Sequence, residues 1–152
     1  YRKIYHFSGN STMSFISAER ERGYRQAMED AGLPVTPDMV RRGNLRQDSG
    51  YMLAQQCLEQ GTDSVALCCN NFLMCLGAMT YAQQHGLVLR RDYGMAICEQ
   101  PPGFYEESEF IYAGPRLQEI GKAAAALLLD RMNHPEKGKE TQLFSSLDVY
   151  NP

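Results

Sequence analysis

Apolar runs alternate with segments of helical periodicity along the chain as far as Cys98. Four apolar runs have the length of buried strands, and they cover residues 3–7, 39–42, 64–69 and 93–98. Three segments between them repeat apolar residues at helical spacing, and they cover residues 17–31, 48–59 and 72–85. Because strands that alternate with helices form parallel sheets, the sequence predicts an α/β fold, with a parallel sheet flanked by helices on both faces.

The alternation stops after Cys98. The turn Pro101-Pro102-Gly103 continues neither a strand nor a helix, and residues 110–113 predict a short extended segment. Gly114-Pro115 then predicts the start of a helix, since Pro is favoured in the first helical turn. The inward face of that helix would consist of Leu117, Ile120, Ala124, Leu127, Leu128 and Met132. A polar linker separates it from a last predicted strand over residues 143–150.

Composition and charge indicate a soluble globular domain and argue against DNA or a membrane as its direct partner. The chain has 152 residues, of which 43% are hydrophobic and 22% charged, as in one soluble globular domain. Its net charge is -3, whereas binding to the phosphate groups of DNA needs clustered Lys and Arg. This chain alone is therefore not expected to bind DNA. No stretch approaches the length of a membrane span, and we expect no membrane partner.

The cysteines indicate a reducing compartment. The sequence contains five, an odd number, placed in apolar runs without the CxxC spacing of a zinc or redox site: Cys57, Cys68, Cys69, Cys75 and Cys98. We therefore predict small buried side chains, no metal site, no cofactor and a cytoplasmic location. The chain begins without Met and enters a strand almost at once, which predicts that it is a piece of a longer protein.

Polar residues stand where two predicted strands end. Asn70-Asn71 follows the strand over 64–69, and Glu99-Gln100 follows the strand over 93–98. In an open parallel sheet the carboxyl ends of the strands share one edge, and ligands bind in the crevice outside it. We therefore predict that the function lies along this edge.

Arg20 and Asn70 are the first candidates for ligand contacts. Arg20 lies one turn before Tyr24 on the inward side of its helix, in the first turn, where a cation is unfavourable unless a polar or anionic ligand faces it. The alternative is a surface arginine paired with Glu19 or Glu21. Asn70 offers a donor and an acceptor that suit sugar hydroxyls. Its alternative role is to cap the helix that begins near Phe72, and both roles can hold.

A set of segments in this order and spacing carries a family resemblance. They are Lys3-Ile-Tyr-His-Phe-Ser-Gly9, Ser17-Ala-Glu-Arg-Glu-Arg-Gly-Tyr24 with Ala27-Met28 and Ala31-Gly32, Ala66-Leu-Cys-Cys-Asn-Asn71 with Leu76-Gly-Ala-Met79, Asp92 to Glu99, Phe110 to Leu129 around Ile120-Gly121, and Leu143 to Tyr150. With these segments the whole chain resembles the second half of the effector-binding region of LacI/GalR-type bacterial transcription regulators. That region itself resembles periplasmic sugar-binding proteins.

The resemblance implies one lobe of a periplasmic-binding-protein-like (type I) fold, in which two lobes enclose an effector and an upstream helix-turn-helix binds operator DNA. Residues 1–109 would form the C-terminal lobe, 110–141 a crossover and a helix that packs on the missing N-terminal lobe, and 142–152 a returning strand. Without that lobe, we expect the helix either to fold back on this lobe or to swap between chains.

The resemblance also implies site residues. The effector-contacting arginine of the family matches Arg20, and Glu99 stands in place of its effector-contacting aspartate. A solvated loop acid is the alternative for Glu99. Asn71 stands where the family more usually has Asp, Leu45 stands where several relatives stack an aromatic on a sugar ring, and the loop after Met13 would edge the site. The implied ligand is a sugar or a related small molecule.

The segment 72–79 is apolar nearly all round, although a helix that covers one sheet face should have a polar side. We predict that it forms a symmetric homodimer, as in the family, through Phe72, Met74, Cys75, Ala78 and Met79. The alternative is that an adjacent helix covers it.

Enzyme motifs are missing from the sequence. It has no GxSxG, GxxxxGK[ST] or HExxH, and its three histidines, His6, His85 and His134, lie on separate elements. We therefore predict no enzyme but the effector-sensing and dimerisation part of a LacI/GalR-like DNA-binding regulator, in which ligand binding changes operator affinity. A periplasmic-type solute receptor is the second interpretation, and a flavodoxin-like enzyme or signalling domain is the third.

Overall fold

Six strands form a single sheet in the computed structural model, which describes residues 1–10, 12, 14–103, 110–138 and 147–150. The strands are β1 (Lys3–Ser8), β2 (Val40–Arg42), β3 (Val65–Cys69), β4 (Gly94–Ile97), β5 (Ile111–Pro115) and β6 (Leu147–Tyr150). Their order across the sheet is β2-β1-β3-β4-β5-β6. The pairs from β2 to β5 are parallel, and only β6 is antiparallel to its neighbour among the described strands. The predicted parallel sheet is therefore confirmed.

Four α-helices follow the strands in the described part of the chain. They are α1 (Phe15–Asp30), α2 (Gln47–Leu58), α3 (Phe72–Gln84) and α4 (Leu117–Asn133), and one 3₁₀ turn (Pro37–Met39) precedes β2. The first three helices lie within about two residues of their predicted positions. None of the described helices is both long and apolar enough to cross a bilayer.

The two faces of the sheet bury different helices, as predicted. In β1 the side chains of Tyr5 and Phe7 point to one face and join the large core with α2 and α3. The alternating residues Ile4 and His6 point to the other face, where α1 packs. Tyr24 of α1 stacks on the His6 ring, with centroids 5.1 Å apart, and its hydroxyl donates to the Ile4 carbonyl at 2.6 Å.

Close contact between α2 and α3 explains why α3 is apolar nearly all round. A Cβ at Gly50 would lie 2.1 Å from the Met74 carbonyl oxygen, and one at Gly77 would lie 2.0 Å from the Gln47 carbonyl oxygen. The two backbones therefore touch, and α3 is covered on one side by the sheet and on another by α2. Side-chain-free glycines permit this approach.

Burial corrects part of the predicted dimer surface. Met74, Cys75 and Ala78 are each 0% exposed, because they point into the core beneath α2, and they are not available to a second chain. The alternative that an adjacent helix covers α3 is correct for these three residues. Phe72 and Met79 remain half-buried, as does Leu76, and Leu73 is 47% exposed.

The fourth helix begins later than predicted. Pro115 ends β5 and pairs with Leu147 of β6, and α4 begins at Leu117. The φ angle of proline suits the extended chain as well as the first helical turn, so Pro115 alone did not distinguish the two. The predicted last strand is present over Leu147–Tyr150, and its predicted residues 143–146 lie outside the described residues.

The fourth helix does not pack on the sheet. None of the residues of α4, all of which the structure describes, is buried. Its predicted inward face stays open, with Leu117 58%, Leu128 63% and Met132 70% exposed. The expectation that the helix folds back on this lobe is therefore wrong, and a swap between chains stays a prediction.

Candidate functional site

The carboxyl ends of three neighbouring strands bring polar residues to one edge of the sheet. Ser8 ends β1, Asn70 follows β3, and Cys98-Glu99 follows β4. The backbone N–H of Asn70 donates to the Phe7 carbonyl at 2.9 Å, and that of Cys98 donates to the Cys69 carbonyl at 3.0 Å. These bonds hold the ends of the three strands level, as predicted from their positions in the sequence.

Helix α1 brings Arg20 to this edge. The helix begins at its N-cap Ser14, whose side-chain oxygen accepts from the Ser17 N–H at 3.3 Å. One turn later, the half-buried guanidinium of Arg20 donates from Nη1 to the Asn70 carbonyl oxygen at 2.6 Å. That bond uses one of five donors, so the others stay available to a ligand.

The alternative ion pairs of Arg20 do not form. Glu19 pairs with Arg22 at 2.5 Å, and Glu21 pairs with Arg25 and Arg42, each at 2.9 Å. Burial raises the pKa of Glu21, but the hydrogen bond from Arg25 and the charge of Arg42 outweigh it and lower the pKa below its usual value. Both neighbouring carboxylates are therefore satisfied by other arginines.

Asn70 is a buried polar residue with an open acceptor. It is 1% exposed, and its Nδ2 donates to the Ser17 hydroxyl at 3.1 Å. Its Oδ1 and the hydroxyl of Ser8, which is 0% exposed, have no hydrogen-bond partner among the described residues. Buried polar atoms are nearly always paired, so orphaned ones mark a place where a ligand or water supplies the partner.

The helix cap falls one residue later than the alternative for Asn70 supposed. Asn71, not Asn70, is the N-cap of α3, and its Oδ1 accepts from the Met74 N–H at 3.1 Å. Its Nδ2 donates to the Leu45 carbonyl at 2.9 Å and so ties the loop before α2 to the start of α3. The capping role assigned to Asn70 is therefore wrong, because the neighbouring residue fills it.

Glu99 also contacts the start of α3. Its Oε2 accepts from the Phe72 N–H at 2.7 Å, where the positive end of the helix dipole favours a carboxylate. It is half-buried, so the alternative of a solvated loop acid is wrong. A cleft of about 350 Å³ opens beside it, with Asn71, Gln100 and Leu117 in its lining.

Leu45 lies beside the loop that follows β1. It adopts a left-handed backbone conformation with φ of 63° and packs against the large core. A Cβ at Gly9 would lie 2.9 Å from Leu45 and 2.7 Å from the Ser17 hydroxyl, so Gly9 allows the loop to approach both residues. The predicted Met13 lies outside the described residues.

Ser8 and Ser17 belong to this edge but are absent from the predicted site. Ser17 had a detectable signal, because it lies three residues before Arg20 and seven before Tyr24, on the inward side of α1. Ser8 had none beyond its place at the end of β1. We use the name polar edge for Ser8, Ser17, Arg20, Asn70, Asn71 and Glu99.

The histidine nearest the polar edge is a core residue. His6 is 0% exposed, and its Nδ1 donates to the Cys68 carbonyl at 3.1 Å. Burial lowers the pKa of His6 to about 4, against the opposing effect of that hydrogen bond, so the ring is neutral at pH 7. Among the described residues, no group of three or more His, Cys, Asp or Glu side chains is placed to hold a metal ion.

Comparison with known proteins identifies the family. Residues 1–143 match the model of the periplasmic binding proteins and sugar-binding domain of the LacI family. The HTH-type transcriptional repressor CytR of Escherichia coli (strain K12) is 31% identical over 126 residues, which cover 82% of this chain and 37% of the repressor. The chain therefore spans well under half the length of this relative.

Solved structures share the fold. A regulatory protein of the LacI family from Chloroflexus aggregans superposes with a TM-score of 0.82 at 20% identity, over 98% of this chain and 53% of that one. The transcriptional regulator CelR in complex with cellobiose superposes with a TM-score of 0.80 at 22% identity, over 99% and 46%. With its single mostly parallel sheet and its match over residues 1–143, the chain belongs to the family of periplasmic binding proteins and LacI-type sugar-binding domains.

Proposed function

We propose that the chain is the effector-binding part of a LacI-type transcription regulator, in which a sugar or related small molecule binds at the polar edge and changes operator affinity. The observation that carries this proposal is the meeting of Arg20 with Asn70 at the carboxyl end of β3. Ligands of open α/β sheets bind at this end of the strands. The relatives described above are named as regulators and not as enzymes.

The chemistry of the polar edge suits a polyhydroxylated ligand. Arg20 offers donors, whereas Asn70 Oδ1 is a buried acceptor with no partner among the described residues. The Ser8 hydroxyl can both donate and accept. Glu99 uses one carboxylate oxygen on α3, so the other is available to a ligand hydroxyl. Each sugar hydroxyl needs one donor and one acceptor, and the edge supplies both kinds within a short stretch.

Part of α3 supports a homodimer. Its half-buried Phe72, Leu76 and Met79, together with the exposed Leu73, form an apolar stripe at helical spacing, although Phe72 and Met79 also pack against the large core. We assign the dimer contact to this stripe, which replaces the buried Met74, Cys75 and Ala78. A two-fold contact would place the same stripe of both chains face to face.

Segments outside this chain complete the proposal. The residues of α4 expose an apolar face that a second lobe would cover. In this proposal residues 1–109 would be the C-terminal lobe, residues 110–141 the crossover and its helix, and residues 142–152 the returning strand. Operator DNA would be bound by a head elsewhere in the protein, since CytR is named as an HTH-type repressor and this chain matches 37% of its length.

The thiols favour a cytoplasmic regulator over a periplasmic receptor. All five cysteines are free, although Cys68 and Cys98 lie close together on neighbouring strands. Proteins of oxidising compartments usually pair such residues. His6 is neutral and buried, so it cannot act as an exposed imidazole base at the polar edge. This agrees with a non-catalytic role.

A gel-shift titration of the full-length protein on its own upstream DNA, with and without a panel of sugars and sugar phosphates, tests this function. We expect one class of ligand to strengthen or release the shift at a fixed salt concentration. If the protein retains no DNA even at low salt, where basic heads bind nonspecifically, the regulator assignment is wrong and the receptor interpretation replaces it.

A further inference from the structure

Two of the five cysteines differ from the others in their surroundings. Cys57, Cys69 and Cys75 are at most 1% exposed and lie in the large core between the sheet, α2 and α3. Cys68 and Cys98 lie on the opposite face and are half-buried. The strand alternation explains the division, since Cys68 is the neighbour of the inward-facing Leu67 and Cys69.

The sheet register brings Cys68 and Cys98 together. Cys68 is opposite Ala96 across the parallel pair of β3 and β4, and Cys98 follows Ala96 by two residues on the same face. Their Sγ atoms are 3.9 Å apart. A disulfide has an S–S length of about 2.05 Å, so the sulfurs would have to approach by about 1.9 Å. Because the two residues are offset by two positions in the register, closing the bond also requires backbone movement, which falls on Cys98, just beyond the end of β4.

The environment divides the two thiols into a nucleophile and its partner. The hydrogen bond from the Cys68 thiol lowers the pKa of Cys98 to about 7 against the effect of burial, and the Arg20 guanidinium lowers it further. The same hydrogen bond and burial raise the pKa of Cys68. Burial raises the pKa of Cys57 to about 11. Since the thiolate is the reactive form, Cys98 is the reactive thiol of the pair.

We propose that Cys68 and Cys98 are a reversible thiol–disulfide pair, oxidised by hydrogen peroxide. The Cys98 thiolate attacks one peroxide oxygen, the O–O bond breaks, and the released hydroxide takes up a proton to leave as water. The sulfenic acid on Cys98 is then attacked by the sulfur of Cys68, and the hydroxyl group leaves as a second water with the Cys68 proton. Two thiols lose two electrons, and one peroxide is reduced to two waters.

The two cysteines lie close in sequence to residues of the polar edge. Cys98 directly precedes Glu99, and Cys68 lies two residues before Asn70. A disulfide would therefore join the ends of the two strands, β3 and β4, that are followed by Asn70 and Glu99 of the polar edge. The disulfide is detected as a linked pair of peptides, so its test does not depend on the identity of the effector.

Mass spectrometry of the full-length protein tests the pair. Reduced protein is treated with hydrogen peroxide and then denatured in the presence of N-ethylmaleimide, which blocks the remaining free thiols. The blocked protein is digested with trypsin. Cleavage at arginine leaves Cys98 as the single cysteine of peptide 92–116, whereas peptide 47–90 carries the other four. We expect these two peptides to become linked and to separate again on reduction with dithiothreitol.

Single-residue variants identify which cysteine is the partner of Cys98 in the disulfide. In Cys68→Ser, the link should disappear and the Cys98 sulfenic acid should accumulate as a dimedone adduct. In Cys57→Ser, the matched control in the core, the link should form as in the wild type. Before oxidation, Cys98 should react with iodoacetamide at least roughly tenfold faster than Cys57.

Specific results would overturn the proposal. It is wrong if the wild-type protein accumulates sulfenic or sulfinic acid on Cys98 without a linked peptide. It is also wrong if the link persists in Cys68→Ser, because another sulfur is then the partner. A wild-type protein that forms no link overturns the proposal even where a variant fails to fold.

Discussion

The helices α3 and α4 are both rich in apolar residues, but this chain buries only one of them. Met74, Cys75 and Ala78 of α3 are 0% exposed, whereas none of the residues of α4, all of them described, is buried. The difference lies in the neighbours, since α3 lies between the sheet and α2 and α4 has no such cover. Apolar spacing therefore predicts that a face needs covering, but it does not identify which surface covers it.

The largest expected difference between the two helices comes from truncating an apolar side chain. Met74→Ala should lower the free energy of unfolding by about 3 kcal/mol, because it leaves a cavity in a closely packed core. Leu128→Ala on α4 should change it by less than about 0.5 kcal/mol, since that side chain is 63% exposed. Urea denaturation of this chain measures both. Equal losses would mean that α4 is packed as closely as α3.

A glycine in each helix provides a matched pair with opposite signs. Gly77→Ala should cost about 2 kcal/mol, because the added Cβ would lie 2.0 Å from the Gln47 carbonyl oxygen. Gly121→Ala should stabilise the chain by up to about 1 kcal/mol, because a Cβ there meets no atom within 4 Å and alanine favours the helix. Thermal melts of the two variants under identical conditions check the signs. A gain in stability from Gly77→Ala would contradict the close contact of α2 and α3.

The smallest of these effects concerns the helix starts. Asn71→Ala should cost about 1 kcal/mol, because it removes the cap of α3 and the bond to the Leu45 carbonyl. Asn71→Ser should restore most of the loss, since serine also caps helices. Glu119→Ala in the first turn of α4 should give no measurable change. Chemical denaturation resolves the three variants, and a silent Asn71→Ala would remove the capping role.

The sequence predicted the sheet and the first three helices because each has a strong periodic signal. In β1, Tyr5 and Phe7 join the large core whereas Ile4 packs on the other face, as the alternation of side chains along a strand requires. The start of α4 was predicted wrongly because the φ of Pro115 fits two structures. The buried side of α3 was also missed, since periodicity does not record that Gly50 and Gly77 let two backbones touch.

The candidate site was predicted in its position and only partly in its contacts. Strand ends placed Asn70 and Glu99 at one edge, because parallel strands align their carboxyl ends, whereas Arg20 was predicted from its place on the inward side of α1. The predicted end of β3 at Cys69 and start of α3 at Phe72 are both correct, but the cap was assigned to Asn70, whereas the residue directly before a helix caps it, which here is Asn71. The hydrogen bond that Glu99 accepts from the Phe72 N–H joins two segments far apart in the sequence, so it had no local signal.

The polar edge as an effector site is tested most directly by calorimetric titration of the full-length protein with the sugar or sugar phosphate that changes the gel shift. The wild-type protein is compared with Arg20→Met and with Arg22→Met, which lies on the exposed side of the same helix and pairs with Glu19. We predict that Arg20→Met weakens binding at least roughly tenfold, because a charge-assisted hydrogen bond is lost, and that Arg22→Met leaves affinity within about twofold. Unchanged affinity in a folded Arg20→Met protein would contradict the account.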